Sequence, residues 1–405
     1  MLYILGLLLL SCLETNGRED FQEFLDQTKK DFKIQGLTIG AFKDNDWVLR
    51  GQIGTRNAED AEQTPIGADD QFPLTGAGSP IVAMLVARIV ERSVGDVTWN
   101  TTIQEVLGDT MAMLQPYANV SLYELVTWQG WTPDIYRING REDRMEWYDS
   151  LWESSQWENA EQNKLQRLGL TQYLVNWECT PGYEDQCDKA TFSPFSLTVA
   201  ITLLEAVTDK TFDALLIEEV FEPLGALGCG VGPNTLDNTL PPSQPWNHFS
   251  GPWGKYNIPI HPGNKSSMPS SMAPDFGIHC SMDSWKIILA SYLAKNESFL
   301  SPESWKTLFD PAYNTLGAEY MAIAPGIVIL YERLAVMSKD DGKSYALVEL
   351  FPGTGTAIIL AANSNMQEGM RQFAGMMKII CYTENILSEE LGIPEGICDL
   401  VFQNQ

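Results

Sequence analysis

Histidine is scarce: His248, His261 and His279 are the only three in 405 residues. They form no recognisable metal cluster, and a satisfied polar role is the simpler reading of each. Cysteines never occur as Cys-x-x-Cys, which removes the usual spacing of a zinc site. No loop has EF-hand spacing, so calcium has no recognisable cradle. No metal and no cofactor are therefore expected. Basic residues are few, with 26 Lys and Arg against 53 Asp and Glu and a net charge of −27. A field of that sign repels phosphate backbones and anionic lipid surfaces, so nucleic acid is excluded as a partner. No apolar run is long enough to span a bilayer, so no transmembrane segment is expected. No internal repeat is visible.

What is present is an ordinary globular composition, 44% hydrophobic and 20% charged, in a chain long enough to bury a sizeable core. Leu2 to Leu10 is almost wholly apolar and is followed by Thr15, Asn16 and Gly17. This reads as a signal peptide over residues 1–17, with Arg18 as the first mature residue and a secreted, extracellular product. A second, weaker reading is a bacterial lipoprotein site at Leu9-Leu10-Ser11-Cys12. Without Cys12, six cysteines remain, an even number that fits three disulfides in an exported chain. Proximity in sequence predicts Cys179–Cys187, Cys229–Cys280 and Cys381–Cys398, the second pair tying a Pro-rich excursion to the sheet. Asn-x-Ser/Thr sequons at Asn100, Asn119, Asn264 and Asn296 are candidate glycosylation sites.

Periodicity orders the chain. Phe21, Phe24, Leu25 and Phe32 have helical spacing. Gly36 to Phe42 and Trp47 to Ile53 read as strands joined by a turn. Ile81 to Val90, Leu165 to Trp177 and Leu197 to Val207 read as helices, and Gly230 to Phe276 as an ordered, irregular excursion. Strand patterns return at Ile327 to Tyr331, Tyr345 to Phe351 and Thr356 to Ala362, before a long amphipathic helix over Glu368 to Asn385. The expected class is α+β: one antiparallel sheet built from N- and C-terminal strands, flanked by helices, with a large helical insertion. The mature domain is residues 18–405, with sheet parts at about 18–70 and 277–405 and a helical part at about 71–276.

Several segments, in order, resemble the class C β-lactamase-like and penicillin-binding-protein-like serine hydrolases. Phe72-Pro73-Leu74 resembles the start of that family's Phe-x-(Ile/Leu)-x-Ser-x-x-Lys helix. Tyr117 to Pro133, Pro181-Gly182, Glu205 to Thr208, Val220 to Gly225, Gly277 to Trp285 and Tyr345 to Asn363 resemble further family stretches. The resemblance spans roughly residues 20 to 380 and implies the β-lactamase/transpeptidase fold.

The same alignment removes the chemistry. Counting from Phe72, the nucleophile position holds Gly76 and the lysine position Ser79. A glycine cannot attack, and a serine is no general base near neutral pH. The Tyr-x-Asn motif falls on Phe192-Ser193-Pro194, where Phe192 has no titrating hydroxyl and Pro194 no amide. The third motif falls on Met337-Ser338-Lys339. No Ser-x-x-Lys occurs in the mature chain. No catalytic residue is therefore assigned, and serine β-lactamase, peptidase or esterase activity is not expected.

Two binding features are expected instead. Trp128 and Trp131 head an aromatic-rich stretch that, by the resemblance, borders the active-site mouth; ring stacking on a ligand competes with packing beneath a loop. Lys339 replaces a family glycine and would face the old cleft, or else stand in a solvated turn. Gly76 and Gly78 would remove volume from the opposite wall. The favoured function is a secreted pseudoenzyme that binds a small molecule or a protein. One alternative is a biosynthetic enzyme reusing the cleft without the serine mechanism, as an isomerase, a cyclase or a catalyst of acyl-group chemistry. Another is an acidic extracellular-matrix component.

Overall fold

Tyr345–Phe351 and Thr356–Ala362 are apolar at almost every position and buried throughout. Such a run fits a strand covered on both faces. The computed structural model describes residues 21–130, 150–151, 153, 156–177, 193, 195–251, 255–262, 268–314, 321–330, 334–340, 343–364, 370–393 and 398. Its strands are β1 (Gly36–Lys43), β2 (Asp46–Gly54), β3 (Gln71–Pro73), β4 (Cys229–Val231), β5 (His248–Gly251), β6 (Lys255–Pro259) and β7 (Ile278–Ser281), followed by β8 (Tyr313–Asn314), β9 (Met321–Ala324), β10 (Ile327–Leu330), β11 (Leu334–Asp340), β12 (Tyr345–Phe351) and β13 (Thr356–Ala362). One antiparallel sheet has the order β2-β1-β13-β12-β11-β10-β9-β8, so the N-terminal hairpin docks beside the last strand. The expected α+β class, with both ends of the chain in one sheet, is what the structure shows.

Local chemistry explains the elements. Asp44 and Asn45, at φ 48° and 75°, form the two-residue turn between β1 and β2, and both residue types tolerate that conformation. A side chain at Gly40 would stand 2.3 Å from the Trp47 ring, so only glycine lets that ring cross β1. Helix α1 (Phe21–Phe32) carries Glu23 in its first turn and Lys29 and Lys30 in its last, opposing the helix dipole. Helix α2 (Ser79–Glu91) is buried on nearly every side. The short helices α3 (Ile103–Leu107) and α4 (Leu122–Val126) each open on a capping box, Thr102 with Glu105 and Ser121 with Glu124. They are followed by α5 (Ala160–Leu174), α6 (Phe195–Thr208), α7 (Met282–Leu293) and α8 (Met370–Leu391).

The sheet divides two cores by simple alternation. Ala346, Val348 and Leu350 join α2 and the helical insertion in the larger one. Leu347 and Phe351 join Met376, Ile379 and Ile380 of α8, with Phe24 and Leu25 of α1, in the smaller. Among the described residues, no helix is long and apolar enough to cross a membrane.

Two disulfides match the expected pairs, Cys229–Cys280 and Cys381–Cys398. Cys179 and Cys187 lie outside the described residues. One expectation is corrected. Cys229–Cys280 does not tie the excursion to the main sheet; it joins facing residues of β4 and β7, 4.0 Å apart at Cα, in a separate three-stranded sheet. The excursion reaches the main sheet through His248, whose ring sits between the Ala58 amide and the Asn363 carbonyl.

Candidate functional site

The chain passes from β3 through a 3-10 turn, Thr75–Gly78, directly into α2. Thr75 is buried with φ 46°, a left-handed conformation uncommon for a β-branched residue. Strain of this kind persists only where surrounding structure imposes it. Here β11, β12 and the short helix Ala273–Phe276 all pack on the turn. Gly76 follows Thr75 and presents only backbone. Ser79 is fully buried, and its Oγ donates to the Gly76 carbonyl at 2.8 Å. The Ser79 hydroxyl is thus committed to the Gly76 backbone.

Gly78 does not enlarge a cleft, contrary to the expectation above. A Cβ there would meet Ile278 and Leu74 at ordinary contact, 3.5 Å. The β9–β10 turn closes the other flank of α2. Gly326, at φ 72°, donates its N–H to the Val126 carbonyl at 3.0 Å, and a Cβ there would stand 2.5 Å from the Ser79 carbonyl oxygen.

Strand β11 carries Met337, Ser338 and Lys339. Lys339 is in the strand, opposite Ala346, and not in a turn. Met337 and Lys339 pair with Val348 and Ala346, residues whose side chains join the larger core beside α2. Along β11, the described residues paired with β10 are Leu334, Ala335 and Val336. Among the described residues, Met337 to Asp340 therefore have a ladder partner on the β12 side alone. Sequence reasoning missed this half-open strand, because its only signal is a difference in strand length.

Of the two readings of the tryptophans, packing holds for Trp128. Its side chain is wholly buried in the larger core, with φ 56°, and packing accounts for it. Trp131, Phe192 and Pro194 lie outside the described residues. Ser193, between the latter two, is buried just before α6. Behind that segment, Arg167 of α5 grips Glu205 of α6, with Nε–Oε2 at 3.0 Å and Nη2–Oε1 at 2.5 Å, both side chains essentially without solvent contact.

The histidines are structural in their surroundings. The Ala58 N–H donates to His248 Nε2 at 3.1 Å, so Nδ1 carries the proton and donates to Asn363 O at 3.0 Å. Burial lowers the His248 pKa to about 4. His279 Nδ1 lies 3.0 Å from Gly232 O, and burial likewise lowers its pKa. His261 is exposed beside Trp246 and Glu59. Among the described residues, no group of three His, Cys, Asp or Glu could hold a metal ion. Asn100 and Asn119 are exposed and Asn296 is half-buried, while Asn264 lies outside the described residues.

No protein-family model matches the sequence, and no curated protein does. Solved structures do match the fold. The octameric penicillin-binding protein homologue from Pyrococcus abyssi superposes with a TM-score of 0.67 at 13% identity, covering 90% of this chain and 77% of that one. A penicillin binding protein from Bacillus halodurans gives 0.65 at 16% identity, covering 89% and 99%. The D-amino acid amidase from Ochrobactrum anthropi SV3 gives 0.66 at 14% identity, covering 91% and 98%. The chain has the penicillin-binding-protein/β-lactamase fold.

Proposed function

We propose that this chain is an exported binding protein that keeps the penicillin-binding-protein fold and has lost its serine chemistry. The observation that carries the proposal is the Gly76–Ser79 pair: no side chain where a nucleophile belongs, and a hydroxyl bound to the Gly76 carbonyl where a base belongs. The ligand site is the half-open strand Met337 to Asp340 beside the Thr75–Gly78 turn. Unpaired strand edges hold extended ligands through main-chain hydrogen bonds. Lys339 would add a cation for an anionic group. Two disulfides, and sequons at the exposed Asn100 and Asn119, are compatible with export and glycosylation.

The solved relatives include an amidase, which keeps the competing reading of an enzyme with different chemistry in view. Labelling separates the two. The purified protein is expected to leave a chromogenic β-lactam intact and to take no covalent label from a fluorescent penicillin. Gly76→Ser should stay unlabelled as well, because the missing base is typically worth about 10²–10⁴-fold in rate. Covalent label on the unaltered chain would sink the proposal. Ligand-dependent melting shifts across a metabolite panel, without turnover, would support the binding reading over the enzymatic one.

A further inference from the structure

Strand β12 contains one charged residue, Glu349, and it is fully buried on the face away from the Thr75–Gly78 turn. No N–H or hydroxyl among the described residues donates to either of its oxygens. The side chain set against it is another carboxyl, Glu384 of α8, itself buried and within reach of a carboxyl–carboxyl hydrogen bond. Two carboxyls can form a hydrogen bond only if one carries a proton. Glu384 Oε2 also accepts from the Cys398 amide at 3.3 Å, and Cys398 is bonded to Cys381, three residues before Glu384 on the same helix.

We infer that Glu349 and Glu384 hold one proton between them, and that this proton fastens the C-terminal half of α8 and its disulfide-closed tail to the back of the sheet. Among the described residues, no cation pairs with Glu349. Val336 of β11 and Ile358 of β13 stand opposite Glu349. Asp340, the ionisable residue of β11 in register with that face, pairs with Tyr345, four residues along β12. On α8, the Lys378 amine lies over the Phe24 and Phe32 rings, Glu389 and Glu390 are exposed, and the Thr383 hydroxyl donates to Ile379 O. Helix α1 turns Glu23, Asp26, Lys30 and Asp31 to solvent. Burial, the Glu384 charge and the shared hydrogen bond all raise the Glu349 pKa well above the usual carboxylate range.

The sign follows from linkage. A carboxyl with a raised folded pKa gives its full stabilisation below its unfolded pKa, and loses it as pH rises through the folded value. The latch is therefore closed in acid and loosens in base. Two like charges sharing a dry site cannot both persist, so Glu384, with the Cys398 amide it holds, comes away from β12 when the proton leaves.

Phosphine reduction of the intact protein, followed by alkylation and peptide mass spectrometry, reads the latch directly. Cys229–Cys280 is the internal reference. The rate for Cys381–Cys398, divided by that for Cys229–Cys280, should rise about tenfold or more between about pH 5 and about pH 8, since each pKa unit carries a factor of ten. Glu349→Gln, which mimics the protonated acid, should hold the ratio low and flat. Glu384→Gln serves the same end if the first variant does not fold. A ratio independent of pH in the unaltered protein overturns the inference without any variant. So does an unchanged pH dependence in a folded variant.

Discussion

His248 shows what a single side chain can hold together. Its ring is wholly buried, accepts from the Ala58 amide and donates to the Asn363 carbonyl, so it joins the excursion to the chain after β2 and to the end of β13. His248→Phe would leave both backbone groups without their partner, at about 1–3 kcal/mol each, and should destabilise the protein by about 2–4 kcal/mol in denaturant unfolding. A loss below about 0.5 kcal/mol would show that the ring is not a structural link. Residue-level reading of the sequence was uneven for physical reasons. The Ser79–Gly76 hydrogen bond has no signal in the sequence, because a serine three residues after a glycine is common in turns and loops alike. For Trp128 the sequence leaves stacking and packing open, since composition cannot tell a ring facing a cleft from one facing the core, and the structure shows packing. Glu349 passed unnoticed because an acid within an apolar strand reads as one solvent-facing position, while here both faces are covered.

Helices and strands were more legible than the contacts between them. The β12 and β13 strands match the expected runs, because turn residues bound continuous apolar stretches. Helix ends drifted: α5 begins at Ala160 rather than Leu165, where Asn159 caps it through the Gln162 amide. No periodicity announces the α5–α6 link. Arg167 and Glu205 are bidentate partners, and Glu205 Oε1 also accepts from the Phe212 amide at 2.8 Å, so one carboxylate ties α6 to α5 and to the chain at Phe212. Arg167→Met should cost about 3–5 kcal/mol, because it strands a buried carboxylate. Adding Glu205→Leu should recover much of that loss. If the double variant is no more stable than Arg167→Met, Glu205 has a second charge partner and the pair does not act as a unit.

At the scale of the whole molecule, the buried histidines His248 and His279 oppose the buried acid Glu349 in pH. Burial lowers the His248 pKa from 6.5 to about 4, so its stabilisation is complete above 6.5 and lost as pH falls towards 4. That loss is worth up to about 3 kcal/mol. Glu349 has the reverse sign: its stabilisation is complete below 4.5 and lost as pH rises. Between 4.5 and 6.5 the two slopes partly cancel. Above 6.5 the histidine stabilisation is complete while the Glu349 loss continues, and self-repulsion in a chain of net charge −27 acts in the same direction. The melting temperature should therefore peak on the acid side of neutrality and fall towards pH 9, with added salt recovering part of the alkaline loss by screening. Each variant should move the peak in its own direction: Glu349→Gln towards higher pH by weakening the alkaline slope, His248→Phe towards lower pH by weakening the acid one, to which His279 also contributes. A melting temperature that climbs steadily from about pH 6 to about pH 9 would show that neither buried group governs the curve.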